Sequence, residues 1–325
     1  MTVPDSARFP PTLGYQVVDV FTGTAYAGNP LAVVLDADEL STGQLQALAS
    51  EFNLSETAFP MVATDGADYR LRIFTPAVEL PFAGHPSVGA AWLLHSLGRL
   101  PAGDVVQSCG AGRFAVTVTA DGATLTGGPP SWGDGLDPGP LLDAVGLTAA
   151  DLVGVAPRWC GAGLDFGYLL VHPVAVALAR PDMARLAALG GAGVSVTAWD
   201  GHSARSRVFA GGVGVAEDPA TGSAALGLGV LLAVSGLLPA GGTAYDVVQG
   251  VELGRPSRLS CTVEVAGGRP VRTTVHGQVV PVARGEIRSP PPASPPADLD
   301  DAVGDTPMGR PDRQDRADSG GGPTP

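Results

Sequence analysis

AGHPSVGAAWLLHSLGRLPAG at residues 83–103 and TGSAALGLGVLLAVSGLLPAG at residues 221–241 are two copies of one pattern. At a fixed offset of 138, nine positions coincide: Gly84, Gly89, Leu93, Leu94, Gly98, Leu100, Pro101, Ala102 and Gly103 match Gly222, Gly227, Leu231, Leu232, Gly236, Leu238, Pro239, Ala240 and Gly241. Each copy is a turn of small residues feeding an apolar helix. Two such units in a pseudo-symmetric chain aim two helix N-termini at one cleft. A helix start offers unpaired N–H groups and about half a positive charge, so the pair forms an anion site.

The offset agrees with a length of 325 residues, which suggests two domains. Hydrophobic residues make up 45 %, enough for two cores. The net charge is −13 and all 19 basic residues are arginine. No basic face for phosphate binding is visible, which argues against a nucleic-acid partner. With no lysine, neither a lysine Schiff base nor the lysine of a phosphate-binding P-loop is available. Cys109, Cys160 and Cys261 show no CxxC spacing and fit a reducing cytoplasm better than a disulfide scaffold. The N-terminus lacks a continuous apolar h-region, so no signal peptide is read. Ala224–Leu238 is apolar but only 15 residues long, short of the ~20 that a membrane span needs, and is expected to be a buried helix.

Residues 1–13 are expected to be a disordered leader. Strands are expected over 15–20 and 31–35, joined through a turn at Ala27, Gly28, Asn29 and Pro30. Ser41 is placed to cap a helix over 43–52, with Leu45, Leu48, Ala49 and Phe52 on one face. A strand over 69–74, the first repeated helix over 87–97, and short strand-like runs through 105–126 follow. The second half has the same rhythm: strands at 168–172, 194–199 and 207–210, a helix over 182–189, the second repeated helix from Gly222, then strands at 258–265, 271–275 and 279–283. The expected fold class is α+β: two pseudo-symmetric domains, 14–130 and 131–288, each a barrel-like, mostly antiparallel sheet around a central helix. From residue 289 to 325, Pro, Asp, Gly, Ser and Arg dominate, and a disordered tail is expected.

His85 lies in the first helix start, where Gly84 permits close backbone approach and Pro86 suits the first turn. A capping or core histidine is the plain reading. The polar groups of the matching segment favour a functional one. Asp218 opens the matching turn, with Thr221 or Ser223 able to cap the second helix. Alone it is an ordinary helix start; facing His85 across the cleft it is a candidate polar partner. Glu217 beside it reads as solvated or structural. Glu56 precedes the apolar run from Ala58 to Val62, and burial there would raise its pKa toward values useful for proton transfer. By spacing alone, a surface glutamate at a strand start reads slightly better. His95, His172, His202 and His276 carry no pattern, and no HExxH, HxH or carboxylate cluster suggests a metal. The glycine runs 190–193 and 211–214 lack the strand–GxGxxG–helix context of a dinucleotide site.

Glu79–Ala91, Glu217–Ala225, Asn53–Thr57, Asn29-Pro30, and Gln249-Gly250 with Gly254-Arg255-Pro256-Ser257 together resemble the PhzF family of phenazine-biosynthesis isomerases. The resemblance covers about residues 14–288. It implies the diaminopimelate-epimerase-like fold, an active site between two similar domains, a homodimer and no cofactor. It further implies that Glu56 moves the proton. His85, Asp218, Ser223 and the amides near Gly84 and Gly222 would hold substrate. Related epimerases and racemases carry a cysteine before each glycine. Here those positions are Ala83 and Thr221, which removes a two-thiol racemase.

The expected activity is therefore a cofactor-free proton shift within a small unsaturated (amino) carboxylic acid, in secondary metabolism, as in isomerisation of trans-2,3-dihydro-3-hydroxyanthranilate. The expected catalytic residues are Glu56, His85 and Asp218; Gly84, Ser87, Gly222, Ser223 and Thr221 would bind substrate, with no metal. The expected partner is a small anionic acid, with no nucleic acid and no membrane, in a cytoplasmic homodimer. A thiol-free amino-acid epimerase using Glu56 and Asp218, a non-catalytic ligand-binding relative, and an isomerase of a different secondary metabolite remain as alternatives.

Overall fold

A computed structural model describes residues 11–292. In chain order the first half runs β1 (Thr12–Val20), β2 (Asn29–Val34), α1 (Thr42–Phe52), β3 (Glu56–Met61), β4 (Tyr69–Phe74), β5 (Glu79–Leu80), α2 (Gly84–Ser96), β6 (Gly103–Cys109), β7 (Gly112–Val118) and β8 (Gly122–Thr126). The second runs β9 (Ser131–Trp132), α3 (Pro138–Val145), β10 (Arg158–Gly161), β11 (Asp165–Leu170), α4 (Pro173–Leu178), α5 (Met183–Ala188), β12 (Gly193–Trp199), β13 (Ser203–Ala210), β14 (Val215–Asp218), α6 (Gly222–Val234), β15 (Thr243–Gln249), β16 (Ser257–Ala266) and β17 (Arg269–Arg288).

The internal repeat extends from sequence to topology. β1 and β2 pair antiparallel, as do β10 and β11. β2 and β3 pair parallel, as do β11 and β12. β4 pairs antiparallel with β3 and parallel with β6, across α2; β13 does the same with β12 and β15, across α6. In the first half β8 pairs with residues 274–278 of β17, and residues 279–288 of β17 pair with β1, so eight strands close into a ring. The second ring closes through the stretch after β8. Gly127 N–H donates to Thr273 O, Gly128 N–H donates to Ala162 O, and β9 pairs with β10. Residues 279–288 of β17 thus complete the first ring, and the link between β8 and β9 closes the second.

α2 and α6 fill the two rings. Ten of the 13 residues of α2 and 12 of the 13 of α6 are buried, as expected of helices that are apolar or small all round. The repeated glycines explain how the helices fit. A Cβ on Gly89 would lie 2.7 Å from Leu31 and Val20, and one on Gly227 would strike the Tyr168 hydroxyl, so each helix touches its own sheet through bare backbone. Gly84 and Gly222 meet each other. A Cβ on Gly84 would sit 2.8 Å from Ser223 N and 2.9 Å from Gly222 Cα.

The differences from expectation have local causes. Thr12 and Leu13, read as leader, belong to β1 because residues 287 and 288 pair with them. Residues 1–10 lie outside the described residues. Ser289 and Pro290, read as tail, are fixed: Ser289 N–H donates to Pro11 O, and Gln44 Nε2 to Pro290 O. The remaining tail reading, over 293–325, falls outside the described residues. The second-half boundary at 288 does not hold for its last strand, since residues 279–288 complete the first ring. α2 starts at Gly84 rather than Ser87, because Pro86 is accommodated in its first turn.

If the contact between Gly84 and Gly222 sets the spacing of the helices, Gly84→Ala forces rigid backbone apart. Urea denaturation should show a loss of about 1–3 kcal/mol with an unchanged far-UV spectrum. Wild-type stability would contradict the packing described.

Candidate active site

Local chain signals deliver each side chain to the junction of the two rings. Ser41 closes a capping box with Gln44 at the start of α1, and Asn53 ends that helix in the left-handed conformation (φ 50°). The chain then re-enters the sheet with Glu56 as the first residue of β3, opposite Leu31. His85 occupies the first turn of α2, and Asp218 ends β14 just before α6. Glu56, Gly84, His85, Asp218, Thr221, Gly222 and Ser223 line one enclosed pocket. Leu80, Leu164, Phe166, Ala192, Ala210 and Val215 supply its apolar wall.

The polar groups are ordered by a few short contacts. Asn29 Nδ2 donates to Asp218 Oδ1 and to Ala220 O, both at 2.8 Å, and lies 3.3 Å from His85 Nδ1. Thr221 Oγ1 donates to Asp218 Oδ2 at 2.6 Å. Gln249 Nε2 donates to the main-chain oxygen of Asp218 at 2.7 Å and to Thr221 Oγ1 at 3.0 Å. His85 Nδ1 lies 3.3 Å from Glu56 Oε2 without the alignment of a hydrogen bond. Glu56 Oε2, His85 Nε2 and Asn29 Oδ1 are buried and have no hydrogen-bond partner, so they are the groups left to meet a ligand.

Burial, with the Asp218 charge adding to it, pushes the Glu56 carboxyl well above its usual range. Burial also raises Asp218, to about 6, against the opposing hydrogen bonds from Thr221, Asn29 and Ser55. His85 is driven down to about 3 by burial, so its imidazole is neutral and its approach to Glu56 is not an ion pair. No arginine lines this pocket. A positive field must come from the helices. α1, α3 and α5 are capped by the side chains of Ser41, Asp137 and Asp182, whereas neither Ala83 nor Thr221 caps its helix by a side-chain hydrogen bond. The starts of α2 and α6 thus lack a side-chain cap, and Gly84, Gly222 and Ser223 of their first turns line the pocket.

Among the expected site residues, Glu56, His85, Asp218, Gly84, Gly222, Ser223 and Thr221 share the pocket. Glu56 is buried, which decides against the surface reading. Thr221 spends its hydroxyl on Asp218 rather than on a helix cap. Ser87 does not line the pocket. It is fully buried, its hydroxyl donates to Ala83 O at 2.9 Å and it accepts from Gln107 Nε2 at 2.9 Å, so it braces α2. Glu217 is structural, held bidentate by Arg207 at 2.8 Å. Sequence reasoning gave no role to Asn29 or Gln249. The available signal was a polar residue beside a glycine at a strand end: Gly28 before Asn29 and Gly250 after Gln249.

Other features lie apart from this chemistry. A cavity of about 560 Å³ is an open cleft beside Phe21, Arg258 and His276 and contains none of the three expected catalytic side chains. Among the described residues, no three His, Cys, Asp or Glu side chains are placed to hold a metal ion. Among the same residues, no helix is long and apolar enough to cross a membrane.

Residues 18–128 and 155–285 match the model of the phenazine biosynthesis-like protein family, PhzC-PhzF. The chain belongs to this family. It is 36 % identical to the trans-2,3-dihydro-3-hydroxyanthranilate isomerase of Pseudomonas aeruginosa over 279 residues, covering 83 % of this chain and 98 % of that protein. A solved Pseudomonas aeruginosa structure described as a predicted epimerase matches with a TM-score of 0.71 and 34 % identity, over 85 % of this chain and 99 % of that one. A PhzF-family protein from Bacillus anthracis shares the fold, with a TM-score of 0.76 at 23 % identity over 85 % of this chain and 99 % of that one. The two-ring, two-helix architecture is the diaminopimelate-epimerase-like fold, and the chain is an isomerase of the PhzF family.

The Asp218 carboxyl gives this site a signature in stability. A folded-state pKa of about 6, above the ordinary 3.8, favours the folded state below pH 4, and that contribution is lost as pH rises through about 6. The stability difference between wild type and Asp218→Asn should therefore move against wild type by about 2–3 kcal/mol from pH 4 to pH 7. Denaturant titrations at several pH values check this. A difference that does not change with pH would contradict burial of an ionisable Asp218.

Proposed function

We propose that this isomerase moves a proton within a small unsaturated amino carboxylic acid without a cofactor, with trans-2,3-dihydro-3-hydroxyanthranilate as the leading substrate. The observation that carries the reading is the convergence of a buried, partner-free carboxyl oxygen of Glu56 with two uncapped helix starts in one pocket. The amides around Gly84 and Gly222 receive the substrate carboxylate, which a chain of net charge −13 otherwise repels. The apolar wall from Leu80 to Val215 takes the hydrocarbon ring.

Glu56 as carboxylate removes an allylic C–H proton, and the resulting carboxylic acid returns it to another carbon on the same face, shifting the double bond. A base held in a dry site with a raised pKa suits both steps, since each needs the opposite protonation state. Neutral His85 and anchored Asp218 orient the amino or hydroxyl substituent and balance the charge that develops in the transition state. Free space in the pocket is about 20 Å³, room for about one water, so the walls separate to admit a ring.

A two-base epimerase built on Glu56 and Asp218 is the second reading. It is disfavoured because both Asp218 oxygens already accept hydrogen bonds, from Asn29 and Thr221, while Glu56 keeps an oxygen open.

Glu56→Gln keeps the shape and removes the base. With trans-2,3-dihydro-3-hydroxyanthranilate carrying deuterium at the allylic carbon, wild type should deliver the label to the new position except for what exchanges with water while Glu56 holds it, and the variant should lose about 10²–10⁴-fold in kcat with little change in KM. Mass spectrometry of the product reads the label. Unchanged turnover in the variant would remove Glu56 from the mechanism, and inversion of a stereocentre without double-bond shift would favour the epimerase.

A further inference from the structure

The GRPS stretch, residues 254–257, has no place in the chemistry above, yet one of its side chains is the most connected link between the two halves. Arg255 Nη2 binds Asp19 Oδ1 at 2.5 Å and donates to Ala27 O at 2.9 Å, and Arg255 Nε donates to Gly28 O at 2.8 Å. Asp19 is buried, and its other oxygen accepts from Tyr26 N–H at 2.6 Å. Two backbone bonds reinforce the junction: Gly28 N–H to Pro256 O at 3.2 Å and Arg258 N–H to Phe21 O at 2.8 Å. The first-half segment is strained. Of the non-glycine residues with positive φ, Phe21 (65°) and Tyr26 (69°) both lie in it.

The two segments joined by Arg255 end on two of the side chains that hold Asp218, which Thr221 also holds. Gly28 (φ 68°) leads into Asn29, which donates to Asp218 Oδ1. Gly250 (φ 75°) follows Gln249, which donates to the Asp218 main-chain oxygen and to Thr221. A side chain cannot replace either glycine, since a Cβ on Gly28 would strike Val20 O and one on Gly250 would strike Arg255 O and Pro219 O. We propose that Arg255, seated on Asp19, is a positioning residue that locks residues 19–28 to residues 250–257, and so sets Asn29 and Gln249 against Asp218 across the junction of the two halves.

A purely structural tie would lower stability and leave the Asp218 carboxyl as it is. A positioning tie makes Asp218 more basic when broken, because the donor from Asn29 to Oδ1 is loosened. The other groups around that carboxyl are Glu56 on β3, neutral His85 on α2, the Thr221 hydroxyl, Ser55, and Glu217, whose charge is held by Arg207. None of them touches Arg255; of these, only Thr221, through Gln249, and His85, through Asn29, adjoin the side chains that Arg255 sets. The proposal rests on reading Asp218 as a substrate-facing group, but its test reads that carboxyl directly and needs no turnover.

The experiment is a carbon-13 NMR titration of aspartate-carboxyl-labelled full-length protein. Arg255→Ala should raise the Asp218 midpoint by about 0.5–1 pH unit, and Arg255→Lys, which keeps the charge but not the fork, by less. Asn29→Ala should give a similar rise, and the double variant Arg255→Ala with Asn29→Ala no further rise. Should Arg255→Ala fail to fold, Arg255→Lys and Asp19→Asn provide the same comparison with little loss of volume. A folded Arg255 or Asp19 variant whose Asp218 midpoint stays within 0.2 of wild type, or fully additive shifts in the double variant, overturns the proposal. If the titrations behave as expected while wild type fails to isomerise trans-2,3-dihydro-3-hydroxyanthranilate, the positioning role stands and the substrate reading falls.

Discussion

The backbone-to-backbone meeting of Gly84 and Gly222 is the constraint on which the rest depends. A side chain at Gly84 would press on the backbone of Gly222 and Ser223, and one at Gly222 would crowd Gly84 and Phe21. The repeated glycines deeper in the helices serve the same end. Gly89 and Gly227 let each helix sink into its own ring, so that both helix starts reach the junction at matching depth. The sheet contributes by exchange: β17 closes the first ring and the stretch after β8 closes the second. The halves are therefore tied by β17 and the link after β8 at their edges and by glycine contact at their centre.

That geometry solves an electrostatic problem. The pocket contains two buried carboxyls and no arginine, in a chain with no lysine at all. Carboxyls in such a place resist ionisation, so Glu56 is pushed well above its usual range and Asp218 up to about 6. Asp218 is held by Asn29 and Thr221 through both its oxygens, whereas Glu56 presents an oxygen without a partner. On the proposed mechanism two residues of one chemical type take different roles: a fixed one that orients and a free one that moves the proton. In the proposed reading, the starts of α2 and α6, which lack a side-chain cap, supply the field for an anionic substrate without adding a titratable cation.

Much of this was legible in the chain. The repeat of 21 residues at offset 138 carried the two-helix plan, and its small, apolar composition carried the burial of both helices. His85 was legible because it sits inside the repeat, and Asp218 because it lies three residues before the second copy. Glu56 was not decided by its own surroundings. Its burial comes from the left-handed stop at Asn53 and parallel pairing with β2, and no local pattern reports either. Ser87 was misread because a serine in a first helical turn looks available, whereas Gln107, 20 residues on, occupies it. Asn29 and Gln249 were invisible as functional groups because each reaches Asp218 across the sequence, by 189 and 31 residues. The closing role of residues 279–288 escaped for the same reason: an alternating strand names its buried face but not its neighbour.

The central claim is that the two helix starts jointly bind a carboxylate. Titrating nitrogen-15-labelled protein with anthranilate, a planar ring acid, and following backbone amide shifts tests it most directly. The account requires saturable shifts centred on Gly84, His85, Gly222 and Ser223, with both helix starts responding at one dissociation constant. Shifts confined to one helix start, or centred on the open cleft near Arg258 and His276, would contradict it.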